Sequence, residues 1–363
     1  MKVLVFIDQF ERGGAARVTS IMCNGLVSKG YDVTLALNNM TYKVFYPLDK
    51  KVRIQTLYCD KKYNGILGIL KLNIDYIFKA KKIIRTERPD VIISVLAVPF
   101  VHSRIASWGG RIPLIVCDHT SFSRKLSLYY NFVRKYFYRT ADVVTILTKR
   151  DEKILGKKIP QKVVVYNPLS FPLLQKITHR RKNILCVGRL DVWHVKGFDI
   201  IINIWAKLAG KYPDWMLEIA GDGDIQAENY IKKLIFDNNL EGRVNLLGQI
   251  KDIVNCYQQS SIFALPSRVE GFPMVLMEAM SQGCASVAFS IEGASKEMIL
   301  NPDAGFVVED GDVNSFSEKL ELLMNSPVLL REMSNNAIAE VERFSVDNFI
   351  SQWDSILRSV LLK

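Results

Sequence analysis

Short β-branched, apolar runs alternate with helix-period segments along this chain, and the series starts over halfway. Lys2–Ile7 is the first run. Asp8–Gly14 is a glycine-containing turn, Ala15–Lys29 carries apolar residues at helical spacing up to Gly30, and Tyr31–Leu37 reads as a second strand. Strand, turn, helix, strand is the opening of a parallel α/β layer. Further buried strands are expected at Val91–Val95, Pro113–Cys117, Val143–Leu147 and Lys162–Tyr166. The prolines of Asn167-Pro168-Leu169-Ser170-Phe171-Pro172 then stop the sheet, and the polar, basic stretch up to Arg181 has linker composition. The second series expects strands at Asn183–Val187, Trp215–Ala220, Val244–Leu247, Ile262–Leu265 and Ser286–Phe289. Its helices fall at Gly197–Lys211, Ile225–Asn238 and Pro273–Gln282, and the residues after Asp312 read as mostly helical.

The fold class expected is α/β, with two doubly wound Rossmann-like domains over residues 1–170 and 183–345, joined by a linker over 171–182. Residues 346–363 form a C-terminal helix expected to pack back on the first domain. Two such halves leave a cleft lined by the carboxyl ends of strands, where sheets of this kind bind ligands. The length of 363 residues, 49% hydrophobic and 23% charged, suits two domains and excludes a peptide hormone, a disordered tail or a disulfide scaffold. The six cysteines, at 23, 59, 117, 186, 256 and 284, form no CxxC pair and read as small core residues of a reduced cytosolic protein. No apolar run reaches the roughly 18 residues that cross a bilayer, and Val3–Ile7 stops at Asp8, a strand and not a signal peptide. Charge is divided unequally. Residues 1–180 hold 31 basic against 12 acidic side chains, and residues 181–363 hold 17 against 25.

The stretch Ser267-Arg268-Val269-Glu270-Gly271-Phe272-Pro273-Met274-Val275-Leu276-Met277-Glu278 carries the most chemistry. Pro273 is placed to open a helix and Gly271 to turn the loop before it. The N–H groups of Met274 and Val275 would then be free at a helix N-terminus, which favours phosphate. Glu270 and Glu278 flank that position, and carboxylates accept hydrogen bonds from paired sugar or ribose hydroxyls. Each glutamate alone reads as a solvated surface residue sooner than as a ligand; the combination with Gly, Pro and an upstream strand reverses that and points to a sugar nucleotide. Arg189 and Lys196, in Gly188-Arg189-Leu190 and Lys196-Gly197, supply the fixed cations a diphosphate needs. Gly13-Gly14 allows close approach of backbone to an anion or is a simple tight turn. His119, in Cys117-Asp118-His119-Thr120 at a strand end, either bonds a sugar hydroxyl or pairs locally with Asp118. Ile66–Ile84, ending in Lys79, Lys81, Lys82 and Arg85, and the aromatic, basic stretch Arg124–Arg139 have the composition of segments that lie on anionic membrane surfaces. Nucleic acid is the rival partner and is set aside because no nucleic-acid module is visible; core aromatics beneath a solvated basic face are the bland reading.

With these residues together, the sequence resembles the retaining glycosyltransferases of family 4. The likeness covers nearly the whole chain and is strongest from Asn183 to Gly311. It rests on Glu270 and Glu278 with seven residues between them, the Gly188-Arg189-Leu190 and Lys196-Gly197 pair, Ala220-Gly221-Asp222-Gly223, and Gly13-Gly14-Ala15. Lys196 stands a little further from Arg189 than the commonest family spacing, and Ala16 replaces a usual acidic residue.

The resemblance implies a GT-B fold and a hexosyltransferase that needs no metal or other cofactor. It would move a hexose or N-acetylhexosamine from a nucleotide-sugar donor, UDP-linked for preference, with retention at the anomeric carbon. The acceptor implied is a growing polysaccharide or lipid-linked oligosaccharide, held by a first domain attached to the cytoplasmic face of the inner membrane of a bacterium. By motif position Arg189 and Lys196 would neutralise the diphosphate, Glu278 would hold the ribose, and Glu270 the donor sugar. Phe272, Met274 and Val275 would form the phosphate-facing loop and helix start, and Ile250 would meet the base through its backbone. Gly14 would approach the phosphates and His119 the donor sugar near the reaction centre. The expected mechanism is a front-face substitution in which the leaving diphosphate takes the acceptor proton. A sugar-nucleotide epimerase and a non-catalytic partner subunit are the alternatives.

Overall fold

The computed structural model describes residues 1–8, 10, 13–38, 45–58, 65–122, 126–159 and 161–362, so Cys59, Arg124 and Lys125 lie outside the described residues. The chain forms two compact units, Met1–Pro168 with Val346–Lys363, and Leu169–Ser345.

The first unit holds seven strands: β1 (Lys2–Ile7), β2 (Asp32–Leu37), β3 (Arg53–Thr56), β4 (Val91–Val95), β5 (Leu114–Cys117), β6 (Val143–Ile146) and β7 (Lys162–Val164). They pair in parallel in the order β3-β2-β1-β4-β5-β6-β7. The second unit holds β8 (Arg181–Val187), β9 (Met216–Ala220), β10 (Val244–Gly248), β11 (Ser260–Leu265), β12 (Ala285–Phe289) and β13 (Phe306–Val308), all parallel in the order β10-β9-β8-β11-β12-β13. Counted from the first strand of each unit in chain order, both run third, second, first, fourth, fifth, sixth, the doubly wound order, and the first sheet adds a seventh strand after these. The order reverses between β1 and β4, and again between β8 and β11.

Val3 to Ile7, Val91 to Val95 and Ala285 to Phe289 are wholly buried, because a parallel sheet is covered on both faces and its strands have no solvent side. Helix Phe198–Leu208 buries Phe198, Ile201, Ile202, Ile204, Trp205 and Leu208. The stretch 171–182 is tied into the second unit: Leu174 N–H donates to Ser281 O (3.0 Å) and Gln282 Nε2 to Pro172 O (2.9 Å). Arg180 spends its guanidinium on the carbonyls of Tyr257 (3.2 Å), Ser260 and Gln282 (both 2.5 Å).

The C-terminal helix Val346–Leu361 buries Phe349, Ile350, Trp353, Ile356, Leu357 and Val360, a stripe with the spacing of one helical face. Each such side chain contributes about 1.5–3 kcal/mol. It packs on helix Gly14–Ser28, where a Cβ on Gly25 would stand 2.3 Å from Ile350. Tyr31 OH donates to Asp354, and Gln352 Nε2 donates to Val164 O at 2.7 Å. Five cysteines, 23, 117, 186, 256 and 284, are buried and free, and burial pushes the thiols of Cys23, Cys117 and Cys284 up to about 12.

Gly197 ends the short helix Trp193–Lys196 in the left-handed region (φ 70°), and a Cβ there would stand 1.9 Å from Pro266 O. Gly197→Ala should therefore cost about 2–4 kcal/mol in urea denaturation. Gly210→Ala, in open space, should stay within about 0.5 kcal/mol of wild type. Equal effects of the two changes would refute the packing argument.

Candidate functional site

At the carboxyl ends of β8, β9 and β10 three loops are held in contact by their backbones. Gly188 N–H donates to Ala220 O (3.0 Å), Leu190 N–H to Asp222 O (2.8 Å), and Gly221 N–H to Gly248 O (2.8 Å). A Cβ on Gly221 would stand 1.9 Å from Gly188 O, and one on Gly223 2.7 Å from Asp191 N, so the Ala220-Gly221-Asp222-Gly223 turn needs its glycines. Gly188 in turn leaves room for the stem of Lys196, whose Cγ a Cβ would meet at 3.1 Å.

Lys196 Nζ then reaches Glu270 Oε1 at 2.8 Å, and Ser267 Oγ donates to the same oxygen at 3.0 Å. The two ends of this ion pair are 21% and 13% exposed, so water screens it only in part. Arg268 locks the two loops from outside. Its guanidinium forms a fork on Asp199 (2.8 and 2.7 Å) and also donates to His194 O (2.5 Å), and Arg268 N–H donates to Val195 O (2.8 Å). This fork is bidentate and hence the best-defined ion pair at the site.

The helix that follows runs from Met274 to Ser281, with Pro273 as the residue before it and not within it. Met274 N–H, expected to be free, donates to Phe272 O at 2.8 Å; among the described residues Val275 N–H has no backbone partner. Phe272 is 5% exposed and packs edge-on against Phe344 (5.6 Å), so its side chain belongs to the core. Glu278 is buried; its carboxylate accepts from Ser170 Oγ (2.8 Å) and Tyr257 OH (3.2 Å). Arg189 is 70% exposed and paired with Asp191, whose carboxyl it holds below the usual carboxylate range. Ile250 is half-buried, two residues beyond Gly248. Lys196 and Glu270 are thus in contact at the point where the second sheet's strand order reverses, while Arg189 is held by a neighbour two residues away.

On the first unit, Gly14 is exposed and opens helix Gly14–Ser28; Gly13 before it has φ 149° and donates its N–H to Tyr46 OH (3.3 Å). His119 follows β5. The Asp118 beside it does not pair with it: the carboxylate accepts from Thr120 N–H (3.0 Å), Arg134 Nε (2.8 Å) and Tyr138 OH (3.0 Å). Arg134 also donates to the carbonyls of Ser121 (3.2 Å) and Thr120 (2.9 Å) and lies over the Phe122 ring at 3.9 Å. It stands on a π-helical turn, Val133–Phe137, a rare geometry that recurs at functional sites.

The aromatic, basic stretch is therefore of two kinds. Arg134 and Tyr138 are buried structural groups, whereas Leu128, Tyr129, Phe132 and Tyr136 are exposed, as are Ile69, Leu70, Ile74 and Phe78 on helix Gly65–Glu87. Among the described residues no helix is long and apolar enough to cross a membrane. Sequence reasoning gave no role to Ser267, Asp199, Tyr257 and Ser170 and read Arg134 as part of a basic surface segment; single polar residues of common types far apart in the chain carry no spacing signal for their partners.

Two family models match this chain, that of the glycosyl transferases group 1 over residues 175–340 and that of glycosyltransferase family 4 over residues 12–170. An uncharacterized glycosyltransferase of Haemophilus influenzae is 30% identical over 350 residues, which span 95% of this chain and 96% of that protein. A Campylobacter jejuni protein, named a GalNAc-alpha-(1->4)-GalNAc-alpha-(1->3)-diNAcBac-PP-undecaprenol alpha-1,4-N-acetyl-D-galactosaminyltransferase, is 24% identical over 99% of both chains. Among solved structures, Anabaena HepE in complex with UDP superposes with a TM-score of 0.79 at 20% identity, covering 99% of this chain and 100% of that one, a likeness of fold.

Removing Arg134 would leave the Asp118 carboxylate buried without its charge partner. Arg134→Leu should accordingly destabilise the protein by about 3–5 kcal/mol in urea, and Tyr138→Phe by about 1.5–3 kcal/mol. A loss below about 1 kcal/mol for Arg134→Leu would show that Asp118 does not depend on it.

Proposed function

This chain belongs to the family 4 glycosyltransferases of GT-B fold, and on that premise we propose that it moves a hexose or N-acetylhexosamine from a UDP-sugar to a lipid-linked or polysaccharide acceptor, with retention and without a metal ion. The observation that carries the reading is the Lys196–Glu270 contact at the reversal point of the second sheet, with Glu278 on the helix behind it. Support for the acceptor class comes from the Campylobacter relative, whose name specifies an undecaprenol-diphosphate glycan. The UDP bound by HepE supports the donor.

Lys196 has three donor hydrogens and spends one on Glu270, which leaves two for a diphosphate. Both bonds to Glu270 fall on Oε1, leaving Oε2 to accept from a hydroxyl of the donor sugar. Val275 N–H, at the start of an eight-residue helix, adds a backbone donor toward phosphate. Arg189 would exchange Asp191 for the diphosphate, Glu278 would take ribose hydroxyls, and Ile250 would meet the base through its backbone. Gly14 would approach the phosphates and His119 the donor sugar.

In the reaction the bond from the anomeric carbon to the diphosphate oxygen breaks, and the acceptor oxygen bonds that carbon on the same face. The acceptor's proton goes to the departing diphosphate. Glu270 is committed to Lys196 and Ser267, which argues against its acting as the nucleophile of a double displacement. What the protein contributes is charge stabilisation on the leaving group by Lys196, Arg189 and the helix terminus.

The membrane attachment of the first unit belongs to the same proposal. Ile69, Leu70, Ile74 and Phe78 are exposed on a helix that also exposes Lys71, Lys81, Lys82 and Arg85, and Lys135 and Arg139 are exposed beside the aromatics of residues 128–136. Such a surface would place an acceptor embedded in the cytoplasmic face of the inner membrane beside the enzyme.

With labelled donor and a lipid-linked acceptor, Arg189→Ala and Glu270→Ala should each lower kcat/KM about a hundredfold. Activity within threefold of wild type would reject these roles, and an inverted anomer in the product, read by NMR, would reject retention. Wild type should sediment with anionic vesicles at low salt, and Phe78→Glu should weaken that binding by about tenfold. Equal partition into neutral vesicles would remove the electrostatic part of the argument.

A further inference from the structure

Beneath the loop that carries His119 lies a pocket within the first unit. The space in it open to the centre of a water molecule is about 10 Å³, close to the 10–15 Å³ or so that one water requires. Its polar lining is Thr19, Asp118, His119, Thr145, Asn167 and Trp353, the last from the C-terminal helix. Most of these groups are already engaged. Thr19 Oγ1 donates to Ala15 O (2.8 Å), the Asp118 carboxylate is taken by Thr120, Arg134 and Tyr138, and the Thr145 hydroxyl lies against the Cys117 thiol. Three buried atoms lack a well-formed hydrogen bond to protein: His119 Nδ1, Asn167 Oδ1 and Trp353 Nε1. Asn167 is 5% exposed and Trp353 2%. A buried polar atom left without a hydrogen bond keeps its full desolvation cost, so three around one pocket call for a common partner.

Their chemistry defines that partner. The indole N–H of Trp353 can only donate, the amide oxygen of Asn167 can only accept, and an imidazole nitrogen can do either. A single water that accepts from Trp353 and donates to Asn167 has one hydrogen and one lone pair left; donating to Nδ1 uses its last hydrogen, whereas accepting from an Nδ1–H would leave that hydrogen orphaned, and an unused lone pair is the more readily tolerated of the two. A neutral imidazole whose Nδ1 accepts carries its proton on Nε2. We propose that one buried water joins Trp353, Asn167 and His119 and holds His119 as the neutral Nε2–H tautomer, with Trp353 and Asn167 as its positioning residues.

Burial depresses the His119 pKa below its ordinary value, against the opposing pull of Asp118 and Asn167, which keeps the ring neutral near pH 7. Resting on the transferase reading, the consequence is that His119 offers a hydrogen-bond donor to the donor sugar and is not a proton acceptor. The C-terminal helix, 234 positions further along the chain at Trp353, thereby sets the state of a side chain at the end of β5.

The rival arrangement is a direct bond from a protonated Nδ1 to Asn167 Oδ1, which gives the opposite tautomer. Long-range ¹H–¹⁵N NMR on the labelled full chain separates the two. Only four histidines are present, and His119→Gln assigns the signal. The expected result in wild type is Nε2–H with Nδ1 bare. Trp353→Phe keeps the ring in the core while removing the donor, and it should shift the tautomer ratio about fivefold toward Nδ1–H, the equilibrium worth of one hydrogen bond. It should also raise the His119 pKa. An Nδ1–H tautomer in wild type, or an unchanged ratio and pKa in folded Trp353→Phe, would overturn the proposal. Should that variant not fold, the wild-type tautomer still decides. No substrate enters the measurement, so it stands or falls apart from the transferase reading.

Discussion

The carbonyl oxygens of Pro266 and Gly188 lie 1.9 Å from where a Cβ on Gly197 and on Gly221 would stand, a separation no side chain tolerates. These two approaches bring the ends of β8, β9 and β11 together, and the side-chain chemistry follows from them. Lys196 can extend to Glu270 because Gly188 leaves its stem a channel. Gly197 then turns the chain immediately, so that Asp199 on the next helix receives Arg268 from the opposite loop. The motif glycines are thus spacers between backbones. The charged residues beside them are positioned because the backbones are.

The first unit uses a different device for a comparable end. There the loop after β5 is held by a buried carboxylate, Asp118, with three hydrogen bonds from Thr120, Arg134 and Tyr138. Burying an ion pair is worthwhile only when its remaining bonding capacity is satisfied, and here Arg134 completes its own with two backbone carbonyls of the same loop. The segment that presents Phe132 and Tyr136 to solvent also sends Arg134 and Tyr138 inward. One short stretch therefore serves surface and core together, which is why its composition supported two readings.

Much of the architecture was legible in the sequence. Strands predicted from continuous apolar runs, such as Lys2–Ile7, Val91–Val95 and Ser286–Phe289, lie within one residue of those observed, because buried parallel strands have no polar face to dilute the pattern. The strands that escaped notice, Arg53–Thr56 and Phe306–Val308, are short and lie at sheet edges, where half-exposed residues break the run. At the candidate site the glycine pattern and the two glutamates lie on loops that the structure packs together. The side chain of Phe272 went to the core and Met274 N–H went to Phe272 O, since a local turn satisfied a donor that helix logic alone leaves open.

Periodicity and spacing determined the parallel sheets and the restart at the second unit, since each is written in residues near one another along the chain. Partnerships across long separations were decided only by folding. Lys196 found Glu270 at a separation of 74 residues, Ser170 found Glu278 at 108, and Asp118 took Arg134 and not the adjacent His119. A side chain's partner depends on which strand ends the sheet order makes neighbours and on how closely their loops approach. Both are properties of the packed backbone, and no local window of sequence contains them.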